Sequence, residues 1–145
     1  MDSPTELVRS SYSPFPYTVF IICLLFILLL SFQLSPSPEG HGTHCQLGLP
    51  ACGFLTVTGY PCPSCGLTTS FSYLVRGQVL KSLQTQPFGT VFLATLTAFG
   101  IISLIAAVKR IPVSYFLDSA VFDRIQIFLL ALFFISWIYK ICVML

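Results

Sequence analysis

The sequence predicts an all-α integral membrane protein, with three transmembrane helices, short amphipathic interfacial helices and a Cys-rich loop. The first observation is composition: 55% of the 145 residues are hydrophobic and 8% are charged, whereas soluble domains carry about 25% charged residues. A surface with so few charges would expose large apolar patches to water, so lipid is the expected solvent. The second observation is that three apolar stretches approach the roughly 20 residues that a spanning helix needs. Each span must be helical, because lipid offers no hydrogen-bond partners to a bare backbone.

One membrane domain accounts for residues 1–145, and we divide it into consecutive segments. In chain order these are a polar tail at 1–16, a first span at 17–34, a cysteine-containing extramembrane segment at 35–87, a second span at 88–108, a loop at 109–124 and a third span at 125–145. The first span is longer than the roughly 7–15-residue apolar core of a signal peptide, and no small-residue cleavage site follows it. We therefore expect it to stay in the membrane as an uncleaved helix.

The third span carries side chains that suit a membrane–water interface. Trp137 and Tyr139 fit an aromatic belt, and Lys140 is expected to extend its ammonium group to the lipid headgroups. In the second span, small residues that include Gly100 recur on one face and allow close helix approach. We expect that face to pack against the other two spans, with contact between copies of the chain as the alternative.

The extramembrane segment 35–87 is expected to hold the short helices. One helix should begin just after Cys65 and end at Gly77, because glycine favours a helix C-terminus. Its apolar face consists of residues at helical spacing, namely Leu67, Phe71, Leu74 and Val75. The apolar stretch 47–60 is too short to span a membrane, so we expect it to lie at the interface or to re-enter the bilayer.

Charge excludes one class of partner and indicates an orientation. The net charge of +2 forms no basic face, which excludes nucleic acid as a partner and leaves the lipid bilayer and other membrane proteins. With three spans, the tail and the 109–124 loop lie on one side of the membrane and the cysteine segment lies on the other. The basic residues are Arg9, Lys109, Arg110 and Arg124 on the first side, and Arg76, Lys81 and Lys140 on the second. The positive-inside rule then places the cysteine segment outside the cytoplasm.

Four cysteines occupy the extramembrane segment, at Cys45, Cys52, Cys62 and Cys65. The last two form a Cys-Pro-Ser-Cys-Gly knuckle, in which two thiolates can face one ion. Zinc takes four sulfur or nitrogen ligands in a tetrahedron, so Cys52 would supply a third ligand, and Cys45 or His44 the fourth. Because nothing in the sequence indicates an open coordination position, such a zinc would be structural rather than catalytic.

Other states of these sulfurs stay open. The cysteines could serve only to fold the loop, and in an oxidising compartment the four thiols could pair in three ways. A Cys-x-x-Cys pair at a helix start can also be redox-active, since the helix dipole lowers a thiol pKa. Cys62 and Cys65 would then be the catalytic pair of a membrane thiol–disulfide oxidoreductase. No βαβ pattern surrounds the pair, which excludes a thioredoxin fold, and Gly66 stands where haem attachment needs histidine.

A longer pattern surrounds the cysteine knuckle, with an Arg-Gly turn after the following helix and a Pro-Phe-Gly entry to the next span. Its residues are Cys52, Phe54, Thr58, Gly59, Pro61, Cys62, Pro63, Cys65, Gly66, Leu67, Thr68, Arg76, Gly77, Pro87, Phe88 and Gly89. Over residues 52–95 this pattern resembles the domain-of-unknown-function 2752 family of small bacterial membrane proteins. The family carries an arginine where this chain has Thr69, so an anion-binding role of that arginine would not carry over.

The resemblance implies a multi-pass protein of the bacterial cytoplasmic (inner) membrane, and it supplies no activity because the family is uncharacterised. It favours Cys52, Cys62 and Cys65 as the functional sulfurs, and it marks Cys45 and residues 41–44 as additions to the family pattern. Residues and resemblance together predict a non-enzymatic multi-pass membrane protein whose Cys-x-x-Cys cap can bind structural zinc. The alternative is the oxidoreductase that uses Cys62 and Cys65.

Overall fold

The computed structural model describes residues 13–113 and 119–144, and throughout these ranges the regular structure is helical. In chain order the elements are α1 (Phe15–Gln33), a 3₁₀ helix (Thr43–Leu47), α2 (Gly53–Thr58), α3 (Leu67–Leu74), α4 (Val79–Thr85), α5 (Pro87–Lys109) and α6 (Ala120–Met144). The short elements between α1 and α5 form a cap, which we define as residues 35–86. The predicted all-α membrane fold is confirmed.

Three of the helices, α1, α5 and α6, are long and apolar enough to cross a membrane. Many of their leucine, isoleucine and phenylalanine side chains face outward, where lipid would surround them. Helix α6 begins at Ala120, earlier than the expected start of the third span at Ile125. The reason is local: the Ser119 hydroxyl oxygen accepts the backbone N–H of Phe122 over 3.2 Å, which satisfies a donor that has no partner inside the helix.

Close approach of the spanning helices depends on small and aromatic side chains. A Cβ added at Gly100 of α5 would collide with Leu24 of α1, so the expected internal packing of this small residue is confirmed. Between α5 and α6, the rings of Phe88 and Phe133 meet edge to face with centroids 5.1 Å apart. The Tyr17 hydroxyl at the start of α1 donates to the Ile111 carbonyl just after α5 over 2.8 Å, which shows that α1 and α5 are antiparallel.

The cap meets the start of α5 through a buried cluster of hydroxyl groups. Ser82 Oγ of α4 lies 2.7 Å from Thr90 Oγ1 and 2.9 Å from Ser70 Oγ, and it also donates to the Ser70 carbonyl over 2.8 Å. The inward face of α3 is therefore largely polar, and the predicted apolar face contributes only part of it. The buried residues of α3 are Thr69, Ser70, Phe71 and Ser72.

The linker after α1, residues 35–42, is tied to the rest of the cap by side-chain hydrogen bonds. The Gln46 amide accepts the Ser35 N–H over 3.0 Å and donates to the Ser35 carbonyl over 2.6 Å. Thr43 and Thr69 are both buried, and their hydroxyl oxygens lie 2.7 Å apart. The Thr69 hydroxyl therefore helps to hold the start of the 3₁₀ helix against α3.

Arg76 joins the end of α1 to the cap. Its guanidinium donates to the Ser31 carbonyl over 3.2 Å, to the Phe32 carbonyl over 2.5 Å and to the Ser72 carbonyl over 2.8 Å. The guanidinium carbon also lies 5.5 Å from the centre of the Phe32 ring. The last carbonyls of a helix have no partner within it, and a cation is favoured there, so Arg76 caps α1.

Candidate metal centre

The structure brings three of the predicted ligands together on the cap. The sulfur atoms of Cys52, Cys62 and Cys65 all lie within 4.8 Å of one another. Cys52 directly precedes α2, whereas Cys62 and Cys65 belong to the turn before α3. In that turn the Cys65 N–H donates to the Cys62 carbonyl over 2.9 Å. This local turn brings the two sulfurs of the Cys-x-x-Cys pair to the same place, and the start of α2 brings the third.

Two side chains from neighbouring elements fix the backbone of this turn. Trp137 Nε1 of α6 donates to the Pro61 carbonyl over 2.9 Å, and Gln86 Nε2 donates to the Pro63 carbonyl over 3.0 Å. These carbonyls flank Cys62, so its backbone is held on both sides. The sequence predicted Trp137 only as an interfacial residue. It did not predict that Gln86 contacts the cysteine turn, and the one sequence feature that marks Gln86 is its position directly before the Pro-Phe-Gly entry to α5.

Gly66 lets other parts of the chain pack directly against the turn. It has a φ of +89°, which favours glycine because a Cβ is disfavoured in the left-handed region. A Cβ at this position would also lie 2.5 Å from the Gly40 carbonyl oxygen and 3.3 Å from Lys140 Nζ. The glycine of the knuckle is therefore required both by the backbone conformation and by the closeness of the linker and α6.

The clustered thiols differ in acidity. Burial, followed by the charges of Cys62 and Cys52, raises the pKa of Cys65 to about 12. A backbone hydrogen bond from Leu55 lowers the pKa of Cys52, against an opposing effect of burial. At neutral pH the metal-free protein would therefore keep Cys65 as a thiol, while Cys52 ionises more readily. Because thiolate is the form that binds a metal, an incoming cation would have to displace the Cys65 proton.

Of the two predicted candidates for a fourth ligand, His44 lies at the cluster and Cys45 lies beside it. His44 lines a cavity of about 300 Å³ together with Cys52, Cys62 and Cys65. Cys45 is exposed, and its sulfur lies 3.9 Å from His44 Nε2. His41 is engaged elsewhere, since its Nδ1 lies 2.9 Å from the Glu39 carbonyl oxygen.

The prediction that the Lys140 side chain extends outward from the protein to reach the lipid headgroups is wrong. Its side chain turns inward and donates to the Gly40 carbonyl over 3.0 Å and to the Thr85 carbonyl over 3.1 Å, and the residue is only 4% exposed. The physical reason is that the cap folds over the end of α6, so carbonyls of the linker and α4 reach the ammonium group first. The neighbouring Tyr139 hydroxyl likewise donates to the Gln84 carbonyl over 3.0 Å.

Comparison with known proteins identifies a family for part of the chain. Residues 52–100 match the family described as "Protein of unknown function (DUF2752)". No curated protein matches the chain, and no solved structure matches it. The matched range contains all three clustered cysteines, the helices α2 to α4 and the first part of α5. This match over residues 52–100 confirms the resemblance found in the sequence.

Proposed function

We propose that Cys52, Cys62 and Cys65 bind one zinc ion, and that the metal-stabilised cap gives this multi-pass membrane protein a structural, non-enzymatic role. The observation that carries the proposal is the separation of the three sulfurs, all within 4.8 Å of one another. In a tetrahedral site with Zn–S bonds of about 2.3 Å, sulfurs lie about 3.8 Å apart. Small side-chain rotations would therefore place all three on one ion, and soft thiolates favour zinc over magnesium or calcium.

His44 is the proposed fourth ligand. It shares the cavity of the three cysteines, whereas the exposed Cys45 would need the 3₁₀ helix to move before its sulfur could enter. A histidine would complete the tetrahedron and leave no position for water or substrate. A closed shell of this kind is typical of structural zinc and distinguishes it from catalytic zinc, which keeps an open position.

A zinc ion at this site would connect parts of the cap that are separate in sequence. His44 belongs to the 3₁₀ helix, Cys52 to the start of α2, and the remaining cysteines to the turn before α3. The cap in turn holds the end of α1 through Arg76 and the end of α6 through Trp137. Binding of the ion would therefore fix the helix ends on one side of the membrane relative to one another.

The metal proposal predicts one zinc ion per chain in protein purified in detergent without chelators, measured by elemental mass spectrometry. Serine replacements of Cys52, Cys62 or Cys65 should each lower the zinc content sharply, because two remaining thiolates hold zinc poorly. Cys45→Ser is the matched control and should keep its zinc. Cobalt substitution should give thiolate-to-cobalt charge-transfer absorption. Full zinc content in the Cys52→Ser protein, or three free thiols and no metal in the unmodified chain, would contradict the proposal.

A membrane thiol–disulfide oxidoreductase is the second candidate, and the lowered pKa of Cys52 is the observation that favours it. Thiolate is the attacking form in disulfide exchange. The burial of Cys65 and its pKa of about 12 disfavour it as the attacking sulfur. A reversible disulfide within the cluster, found in place of bound zinc, would support this candidate.

An apolar cavity lies between the membrane-spanning helices, away from the three clustered cysteines. The cavity has a volume of about 370 Å³ and opens between the start of α1, the middle of α5 and the first half of α6, where Tyr17, Phe99 and Phe122 line it. The cysteines lie at the opposite ends of these helices. A lipid-soluble quinone bound in this cavity could not contact the sulfurs, which supports the structural candidate over a quinone-coupled oxidoreductase.

We also propose that the protein resides in a bacterial cytoplasmic (inner) membrane, with the cap outside the cytoplasm. The support is the distribution of basic residues between the two sides. Cys45 is a suitable reporter because it is exposed and does not belong to the three-sulfur cluster. A membrane-impermeant maleimide should label Cys45 in intact cells after mild reduction, as mapped by peptide mass spectrometry. Labelling of Cys45 only after cell lysis would place the cap in the cytoplasm.

A further inference from the structure

A second polar cavity lies beside the cysteine cluster, where the linker after α1, helix α4 and the end of α6 meet. Its volume is about 450 Å³, and its lining includes Lys81, Lys140, Tyr73, Gln84 and Glu39. We propose that this cavity binds a phosphate group, as presented by the headgroup of an anionic phospholipid.

The buried ammonium group of Lys140 is the principal argument. An ammonium group has three N–H donors, and two of those of Lys140 go to the neutral carbonyls of Gly40 and Thr85. Among the described residues, the one ion pair within 4.0 Å joins His41 and Glu39, so no carboxylate there neutralises Lys140. A buried charge is costly unless a countercharge accompanies it, and the cavity is the open space into which such a countercharge could fit.

A second cation lines the same cavity. Lys81 is exposed, and its ammonium nitrogen lies 5.8 Å from the centre of the Tyr73 ring. Glu39 also contributes to the lining, but its side chain is 75% exposed and its carboxylate lies 3.9 Å from His41 Nε2. The two lysines therefore leave a net positive cavity wall, and phosphate oxygens form charge-assisted hydrogen bonds with ammonium groups.

The position of the cavity indicates where the phosphate would come from. Helix α4, which supplies Lys81, leaves Leu80 76% exposed, as expected for a short helix that lies on a membrane surface. The cavity also lies at the end of a membrane-spanning helix, beside the interfacial side chain of Tyr139. Phospholipid phosphates are concentrated at this depth, and basic pockets between membrane helices bind such headgroups.

The test uses the intact, delipidated chain in detergent and the fluorescence of Trp137, the one tryptophan in the sequence. Phosphatidylglycerol in mixed micelles should give a saturable change, whereas diacylglycerol, which lacks phosphate, should give none. Lys140→Met should weaken binding about tenfold to hundredfold, since one charge-assisted hydrogen bond is lost. Lys81→Met should weaken it less. Lys109→Met is the matched control, because Lys109 lies at the other end of α5, and it should bind as the unmodified chain does.

If inorganic phosphate alone saturates the signal and Lys140→Met abolishes it, the site stands and its ligand is the free ion. Equal phosphatidylglycerol affinity in the Lys81→Met, Lys140→Met and Lys109→Met proteins would overturn the proposal. Lys81→Met decides the question if Lys140→Met fails to fold, since Lys81 is exposed. The Cys52→Ser protein should still bind phosphatidylglycerol, which separates this site from the proposed zinc site.

Discussion

Replacing Gly66 with alanine is expected to destabilise the protein by about 2–5 kcal/mol, measured by unfolding in detergent and followed by circular dichroism. The left-handed backbone costs about 1–2 kcal/mol with any Cβ, and overpacking at a tight site typically adds about 1–3 kcal/mol. The atom that a Cβ would meet at 2.5 Å is the Gly40 carbonyl oxygen. Because this is a backbone atom, relief requires the linker to move and not merely a side chain.

Gly77→Ala is the control for this substitution. Gly77 has a φ of +74°, and nothing lies within 4 Å of a Cβ placed there, so this variant reports the backbone cost alone. We expect a loss of about 1–2 kcal/mol from it. The difference between the two variants measures the close packing of the linker and α6 on the cysteine turn. Equal losses in the two proteins would mean that the turn tolerates a larger separation from the linker.

Replacing Arg76 with methionine is expected to lower the free energy of unfolding by about 2–4 kcal/mol. The change removes hydrogen bonds from a charged donor, which contribute about 1.5–3 kcal/mol each in favourable cases. It also leaves the Ser31 and Phe32 carbonyls at the end of α1 without their partner. Partial exposure of Arg76 keeps the expected loss below the sum of its hydrogen bonds, since water can reach some of the freed groups.

Two further variants make the Arg76 experiment specific. Arg76→Lys keeps the charge but presents a compact ammonium group in place of the planar fork, so we expect an intermediate loss. Arg124→Met removes an exposed cation at the start of α6 and should change stability by less than about 0.5 kcal/mol. If Arg76→Met were as stable as Arg124→Met, the guanidinium would not contribute to holding α1 against the cap.

The parts of this protein that could be predicted from sequence are those encoded locally. The spans follow from the length of apolar runs, because a bilayer demands a minimum helix length and tolerates few charges. The proximity of Cys62 and Cys65 follows from two-residue spacing within a turn rich in proline and glycine. Cys52 was predicted as the third zinc ligand and was favoured over Cys45 by the family resemblance, and the structure places its sulfur within 4.8 Å of both.

The parts that could not be predicted depend on contacts between distant residues. Lys140 looks like a lysine at a membrane boundary, and only the position of Gly40 and Thr85 shows that it turns inward. The inward face of α3 contradicts simple hydrophobic periodicity, because the Ser70 hydroxyl has partners on α4 and α5 and the Thr69 hydroxyl has one on the 3₁₀ helix. A one-dimensional pattern does not contain these partners. The role of Gln86 was missed for the same reason, since its partner is a backbone carbonyl of the cysteine turn.

The hydrogen bonds that α6 donates to the cap also constrain the order in which the protein assembles during synthesis. Trp137 is separated by 76 positions from the Pro61 carbonyl that it holds, and Lys140 by 100 positions from its carbonyl partner at Gly40. The ribosome therefore produces all three clustered cysteines well before the residues that lock their backbone. The hydrogen bonds that α6 donates to the cap can form only after α6 has been synthesised, which makes closure of the cap over the end of α6 a late step of assembly.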